Sequence, residues 1–146
     1  IALFQDILKQ EYPLRDVCRQ IKSNMDHPAR LQMIHVLFGL SQADGHVHPS
    51  EVNIIRDITG YLGISQKDFE SIKAMFYKDT QSSYTILEID KSATDIEVKK
   101  AFRRMATKYH PDKVSHLGEE FRSIAEEKFK KVNEAYQQVK KERGIS

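Results

Sequence analysis

Apolar residues recur at helical spacing along most of the chain, and two long stripes stand out in its second half. Between Asp95 and Tyr109, the residues Val98, Ala101, Phe102, Met105, Ala106 and Tyr109 share one face, which predicts an amphipathic helix. Thr94 is the predicted N-cap, and Glu97 three residues on completes a capping box, so side chains alone specify the start. Lys99, Lys100, Arg103, Arg104 and Lys108 are expected on the opposite, cationic face. After a loop reaching about Gly118, Phe121, Ile124, Ala125, Phe129, Val132, Ala135, Tyr136 and Val139 form a second stripe. Two such stripes joined by a short connection bury each other best as an antiparallel hairpin. Ahead of them Tyr84, Leu87 and Ile89 make a short apolar segment that can cap the hairpin core.

His110-Pro111-Asp112 stands where the first of these helices must stop. Proline disfavours the helical region for the residue before it, so His110 is expected to be extended and Asp112 to lie outside the helix. The fixed φ of Pro111 lowers the entropy lost when neighbouring side chains are held against a partner. Core packing has no use for this tripeptide at that place, and it reads as a docking corner.

The first half is also helical. One helix is predicted from about Pro13 to Ser23 and another from near Pro28 to about Ala43, each opening on a proline. The second carries Leu31, Met33, Ile34, Val36, Leu37, Phe38 and Leu40, so it is apolar nearly all round and belongs at the centre of a bundle. An acidic turn, Ala43 to Glu51, leads into a helix from about Pro49 to Leu62. Gly63 ends that helix, and Ser65 caps another from about Gln66 to Tyr77, with Phe69, Ile72, Met75 and Phe76 as its apolar side.

Composition narrows the function classes. The formal net charge is +2, unevenly placed: residues 1–77 carry 8 Lys/Arg against 9 Asp/Glu, and residues 78–146 carry 15 against 12. That excess is slight for a nucleic-acid binder, aromatic residues are not interleaved on the basic face, and Pro111 ends the helix where a recognition helix would continue. Cys18 stands alone, which rules out an intramolecular disulfide, and it reads as a small buried hydrophobe. No Cys-His pair, Ser-His-Asp set, phosphate-cradling glycine loop or paired-carboxylate arrangement points to an enzyme. Asp44 and Glu51 flank a turn resembling a calcium loop, but the further acidic positions such a loop needs are missing. His110, Asp112 and His116 are too few for a closed zinc site. No metal or cofactor is expected.

Tyr84-Thr-Ile-Leu-Glu-Ile, Ala93-Thr94, Glu97-Val-Lys-Lys-Ala-Phe-Arg-Arg-Met-Ala, Lys108-Tyr-His-Pro-Asp-Lys113 and Phe129-Lys-Lys-Val-Asn-Glu-Ala-Tyr136 together resemble a J domain, the signature of the DnaJ family. The resemblance covers roughly Ser82 to Arg143. It implies a co-chaperone that binds the ATP state of a DnaK-type chaperone ATPase and stimulates its hydrolysis, with the chemistry done by the partner. By position, His110, Pro111 and Asp112 match the signature tripeptide. Lys99, Arg103 and Arg104 match basic positions facing an acidic ATPase surface, Lys113 matches the basic residue after the tripeptide, and Phe129 and Lys130 match third-helix positions of the same surface, with the core as the alternative place for Phe129. In the family the Asp112 counterpart pairs with an arginine on the partner's nucleotide-binding lobe.

Tyr12-Pro-Leu-Arg15, Ala43-Asp-Gly45, His48-Pro49, Glu51 and Leu62-Gly-Ile-Ser65 resemble a TerB-like helical domain. Its order before a J domain is similar to that of a membrane-anchored DnaJ-like protein. The expectation is therefore an all-α protein: a TerB-like helical bundle at 1–77, truncated relative to the usual domain, a linker at 78–83, and a J domain at 84–146 with a central antiparallel hairpin. The short linker is expected to restrict how the J domain approaches its partner. The front domain is expected to give location, self-association or client choice. A metal-responsive or stress-related adaptor role through the TerB-like part is the alternative. The resemblance places the chain in the cytoplasm and leaves room for an upstream membrane anchor outside the given sequence. The Gly/Phe-rich segment, zinc-ribbon cysteines and client-binding domain of a full DnaJ are not in the sequence.

Overall fold

The computed structural model describes residues 13–43, 48–77 and 81–145. Among these every regular element is helical. In chain order they are α1 (Leu14–Asn24), α2 (His27–Ser41), α3 (Pro49–Tyr61), α4 (Gln66–Phe76), α5 (Ser82–Ile86), α6 (Asp95–Lys108), a 3-10 helix (Pro111–Leu117) and α7 (Glu119–Arg143). The chain divides into two compact units, Ile1–Phe69 and Glu70–Ser146, and the division falls inside α4. Asp44, Gly45 and His46 of the acidic turn, and residues 78–80 of the expected linker, lie outside the described residues.

In the first unit Leu31, Ile34, Leu37 and Phe38 of α2 are buried, whereas Met33 and Val36 are half-buried and Leu40 is exposed, so the helix is not buried all round as its composition suggests. Phe38 packs on Phe69 with ring centroids 5.6 Å apart, and the Arg56 guanidinium lies over the Phe69 ring, 5.1 Å from its centroid. α2 starts one residue earlier than the proline suggests, because the Asp26 side chain accepts from Ala29 N–H at 3.1 Å and so sets the N-cap. Pro13 likewise is the cap residue of α1 and not its first turn. α3 ends as expected: Gly63 has φ +71°, and the Ile64 N–H bonds back to Thr59 O at 3.1 Å. Cys18 is 2% exposed, and burial pushes its thiol pKa up, so it sits in the core as an apolar residue does.

In the second unit the two long stripes meet. Arg143 reaches Asp95, Tyr136 stacks on Phe102 with centroids 4.1 Å apart, and Lys128 lies over the Tyr109 ring at 4.4 Å. Along these pairs one residue number falls as the other rises, which makes α6 and α7 an antiparallel hairpin. Val98, Ala101 and Met105 of α6 face Ala125, Val132, Ala135 and Val139 of α7, all buried. Burying each of the larger of these aliphatic side chains contributes ~1.5–3 kcal/mol. Tyr84 and Leu87 are buried as expected from the sequence, but the third buried apolar residue of this segment is Ile86, while the expected Ile89 is only half-buried. Ser71 Oγ donates to Ile86 O at 2.7 Å, which fastens the second half of α4 to α5.

The start of α6 carries the predicted capping box. Glu97 N–H donates to Thr94 Oγ1 at 3.2 Å, and Thr94 N–H donates to Glu97 Oε2 at 2.8 Å. α7 runs four residues past its last apolar stripe residue and stops at Gly144, whose φ of +67° allows Ile145 N–H to reach Lys140 O. Near that end the Arg143 guanidinium donates to Tyr84 Oη (3.2 Å), Asp95 Oδ1 (3.0 Å) and Lys91 O (2.8 Å). These bonds, Tyr84 first and Asp95 second, raise its pKa above the ordinary arginine value.

Candidate functional site

The end of the hairpin opposite this tie holds the tripeptide. α6 gives out at Lys108, and His110 takes an extended conformation, φ −61° and ψ 132°, as the following proline demands. The segment after it, read from sequence as a loop, is a 3-10 helix from Pro111 to Leu117. Its local bonds explain the difference. His110 Nδ1 accepts from Asp112 N–H at 3.2 Å, Lys113 N–H donates to His110 O at 3.0 Å, and Ser115 Oγ donates to Asp112 O at 3.0 Å. Val114, buried, pins the turn to the unit's interior.

His110 Nδ1 therefore faces the backbone of the corner. The ring edge meets Phe129 of α7 in a T-shaped contact, 5.7 Å between centroids, which orients the imidazole from below. The Asp112 carboxylate lies 3.6 Å from His110 Nδ1, with side chains 75% and 50% exposed respectively. The corner therefore presents a largely solvated carboxylate on a backbone whose conformation is fixed from several sides.

Lys99, Arg103 and Arg104 are exposed on α6, Lys113 is exposed on the 3-10 helix, and Lys130 is exposed on α7 next to half-buried Phe129. Lys99 and Arg103 are four residues apart and share a helix face, as do Lys100 and Arg104. Lys108 departs from the expected cationic face. Its ammonium lies 3.2 Å from Glu88 Oε2, and the two side chains are only 27% and 7% exposed. Glu88 itself had no signal in the sequence beyond its charge. Lys128 is likewise a charged residue whose burial, 0% exposed, the apolar pattern does not anticipate.

Glu51, the described half of the acidic turn's carboxylates, is buried in the first turn of α3. Among the described residues no group of three His, Cys, Asp or Glu side chains is gathered as a metal would need. Nor is any helix among them long and apolar enough to cross a membrane.

A hairpin of this kind, with an exposed His-Pro-Asp corner and a basic helix, defines a J-domain protein. The DnaJ domain family matches residues 82–144, and the family described as Tellurite resistance protein TerB matches residues 1–74. The chain belongs to the TerB family through its first half and carries a DnaJ domain in its second. It is similar to the co-chaperone protein DjlA of Vibrio cholerae, 28% identical over a 176-residue alignment that covers 97% of this chain and 62% of that protein. The co-chaperone protein DjlA of Vibrio vulnificus is similar to the same degree, with the same coverage. The chaperone protein DnaJ of Fusobacterium nucleatum is 54% identical over 54 residues, 37% of this chain and 14% of that protein. The chain thus spans less than two thirds of the length of these relatives. No solved structure matches the chain significantly.

Proposed function

We propose that this chain is a co-chaperone that docks on a DnaK-type chaperone ATPase and stimulates its ATP hydrolysis. His110, Pro111 and Asp112 form the contact that discriminates between states of the partner. Lys99, Arg103, Arg104, Lys113 and Lys130 supply attraction to an acidic surface. The observation that carries this reading is the exposure of the Asp112 carboxylate on a conformationally fixed corner at the end of a hairpin whose α6 is lined with exposed cations. A ligand shifts a two-state equilibrium only through contacts that differ between the states, and a fixed carboxylate meeting a cation present in one state is such a contact. The exposed cations act at longer range, over a Debye length of ~8 Å at physiological salt, and chiefly raise the rate of encounter. Hydrolysis itself belongs to the partner.

The first half, residues 1–77, supplies location, self-association or client choice, and a short connection at 78–83 joins it to the J domain at 84–146. The names of the DjlA and DnaJ relatives support the co-chaperone role, and the TerB match supports a separate front domain.

The test is a single-turnover ATPase measurement with a DnaK-type chaperone, comparing the chain with its Asp112→Asn form. The unaltered chain should accelerate hydrolysis. Asp112→Asn should abolish most of that acceleration while thermal melting stays nearly unchanged, because a side chain exposed to this extent belongs to no packed network. Equal stimulation by the two forms would defeat the proposal.

A further inference from the structure

Glu88 is the non-glycine residue with positive φ among the described residues, at +59°. The position is the left-handed end of α5: Glu88 N–H bonds Thr85 O at 3.0 Å and Ile89 N–H bonds Tyr84 O at 3.1 Å. A glycine takes this conformation at no steric cost, whereas an L-residue with a long side chain rarely does. The backbone bonds need no side chain at all. What a glutamate adds is its carboxylate, which is 3.2 Å from the Lys108 ammonium in a pair largely withdrawn from water.

Lys108 is the last residue of α6, and two residues later the chain enters the His-Pro-Asp corner. A cation there also suits the negative end of the helix. Between the two, Tyr109 N–H bonds Met105 O at 3.0 Å, while the next bond, His110 N–H to Thr107 O, is stretched to 3.5 Å. The final turn of α6 is thus the hinge on which the corner is mounted, and its own last hydrogen bond is weak.

We propose that Glu88 is a positioning residue for partner docking: by holding Lys108 it clamps the last turn of α6 and orders the His110-Asp112 corner before the partner arrives. The inference rests on the reading of that corner as the docking element. Ordering a side chain in advance removes part of the entropy cost of binding, so loss of the clamp should weaken docking without altering the chemistry it triggers. The direction of the effect separates this from a simple charge effect. Glu88→Gln raises net charge by one, which alone would strengthen attraction to an acidic partner, whereas the clamp predicts weaker docking.

The experiment measures stimulated ATP turnover of a DnaK-type chaperone against concentration of the full chain, for the unaltered form, Glu88→Gln, Glu88→Gly, Lys108→Gln and the Glu88→Gln/Lys108→Gln double variant. Each single variant should raise the half-saturating concentration about fivefold, with the maximal rate retained, and the double variant should be no worse than either single one. Glu88→Gly, which removes the backbone conflict, should melt no lower than Glu88→Gln yet dock as poorly. Independently of any partner, amide exchange at Tyr109 should quicken in Glu88→Gln while that of buried Val132 is unchanged. An unaltered half-saturating concentration in Glu88→Gln, unchanged exchange at Tyr109, or additive losses in the double variant, which would mark Lys108 as a direct contact, each overturns the clamp. No stimulation by the unaltered chain sinks the docking reading and this inference together, whereas normal stimulation with a silent Glu88→Gln sinks the inference alone.

Discussion

Replacing Arg143 by methionine keeps an unbranched stem over Tyr84 and removes the three donated hydrogen bonds, so it isolates the polar part of the tie that joins the end of α7 to Tyr84 and the start of α6. The arm to Tyr84 matters most. Tyr84 is 3% exposed, and its hydroxyl would be left without this donor inside the unit. A hydrogen bond involving a charged group contributes ~1.5–3 kcal/mol. The arm to Asp95 is discounted, because that carboxylate is 60% exposed and can return to water, leaving ~0–1 kcal/mol. Lys91 O is expected to recover solvent as well. The expected loss is therefore about 2–3 kcal/mol, well below three independent charged bonds. Native-state amide exchange at Ala135 and Val139 reads the opening of this unit by itself, whatever the first unit does, and should accelerate roughly 30- to 150-fold. The argument stands or falls on a cycle with Tyr84→Phe. That change should cost about 1–2 kcal/mol beside Arg143 and close to nothing beside methionine, a coupling of about 1–2 kcal/mol. Equal costs in both backgrounds would show that the hydroxyl and the guanidinium do not stabilise one another, and would refute the reasoning.

Changing Arg103 and Arg104 together to alanine should lower the association rate with a DnaK-type partner and flatten its dependence on salt, with helicity unaltered because both side chains are exposed; stopped-flow association across a salt series checks this, and an unaltered slope counts against their electrostatic role. Thr94→Ala should destabilise the hairpin unit by about 1 kcal/mol through loss of the Glu97 N–H acceptor, measured as faster exchange at the start of α6, and no change there would mean that the capping box is idle in the folded protein.

The helical stripes, the capping box at Thr94, the glycine stop at Gly63 and the extended His110 were all legible in the sequence, because each depends on residues within a turn or two of one another. Periodicity reports which face seeks the core, and caps and prolines report where the backbone must change direction. The tripeptide was legible for the same reason, as a local anomaly. Where the sequence reading drifted, the deciding partner was close but different from the one assumed. Asp26 caps α2 ahead of the proline, and the His110 ring and the Asp112 N–H bond across the corner to draw the following segment into a 3-10 helix.

The tertiary structure alone decided which charges were left to solvent. On helical spacing Lys108 belonged with Lys99, Arg103 and Arg104, yet Glu88, twenty residues earlier, takes it out of the cationic face. Arg143 reads as one more cation in a basic helix end until Tyr84, Lys91 and Asp95 are brought beside it. Lys128 looks like a solvated residue until Tyr109 is laid against it. Apolar residues announce their fate by pattern, because burial is favourable against any apolar neighbour. A charged side chain is buried or exposed according to one particular partner placed by the fold, and no local rule names that partner.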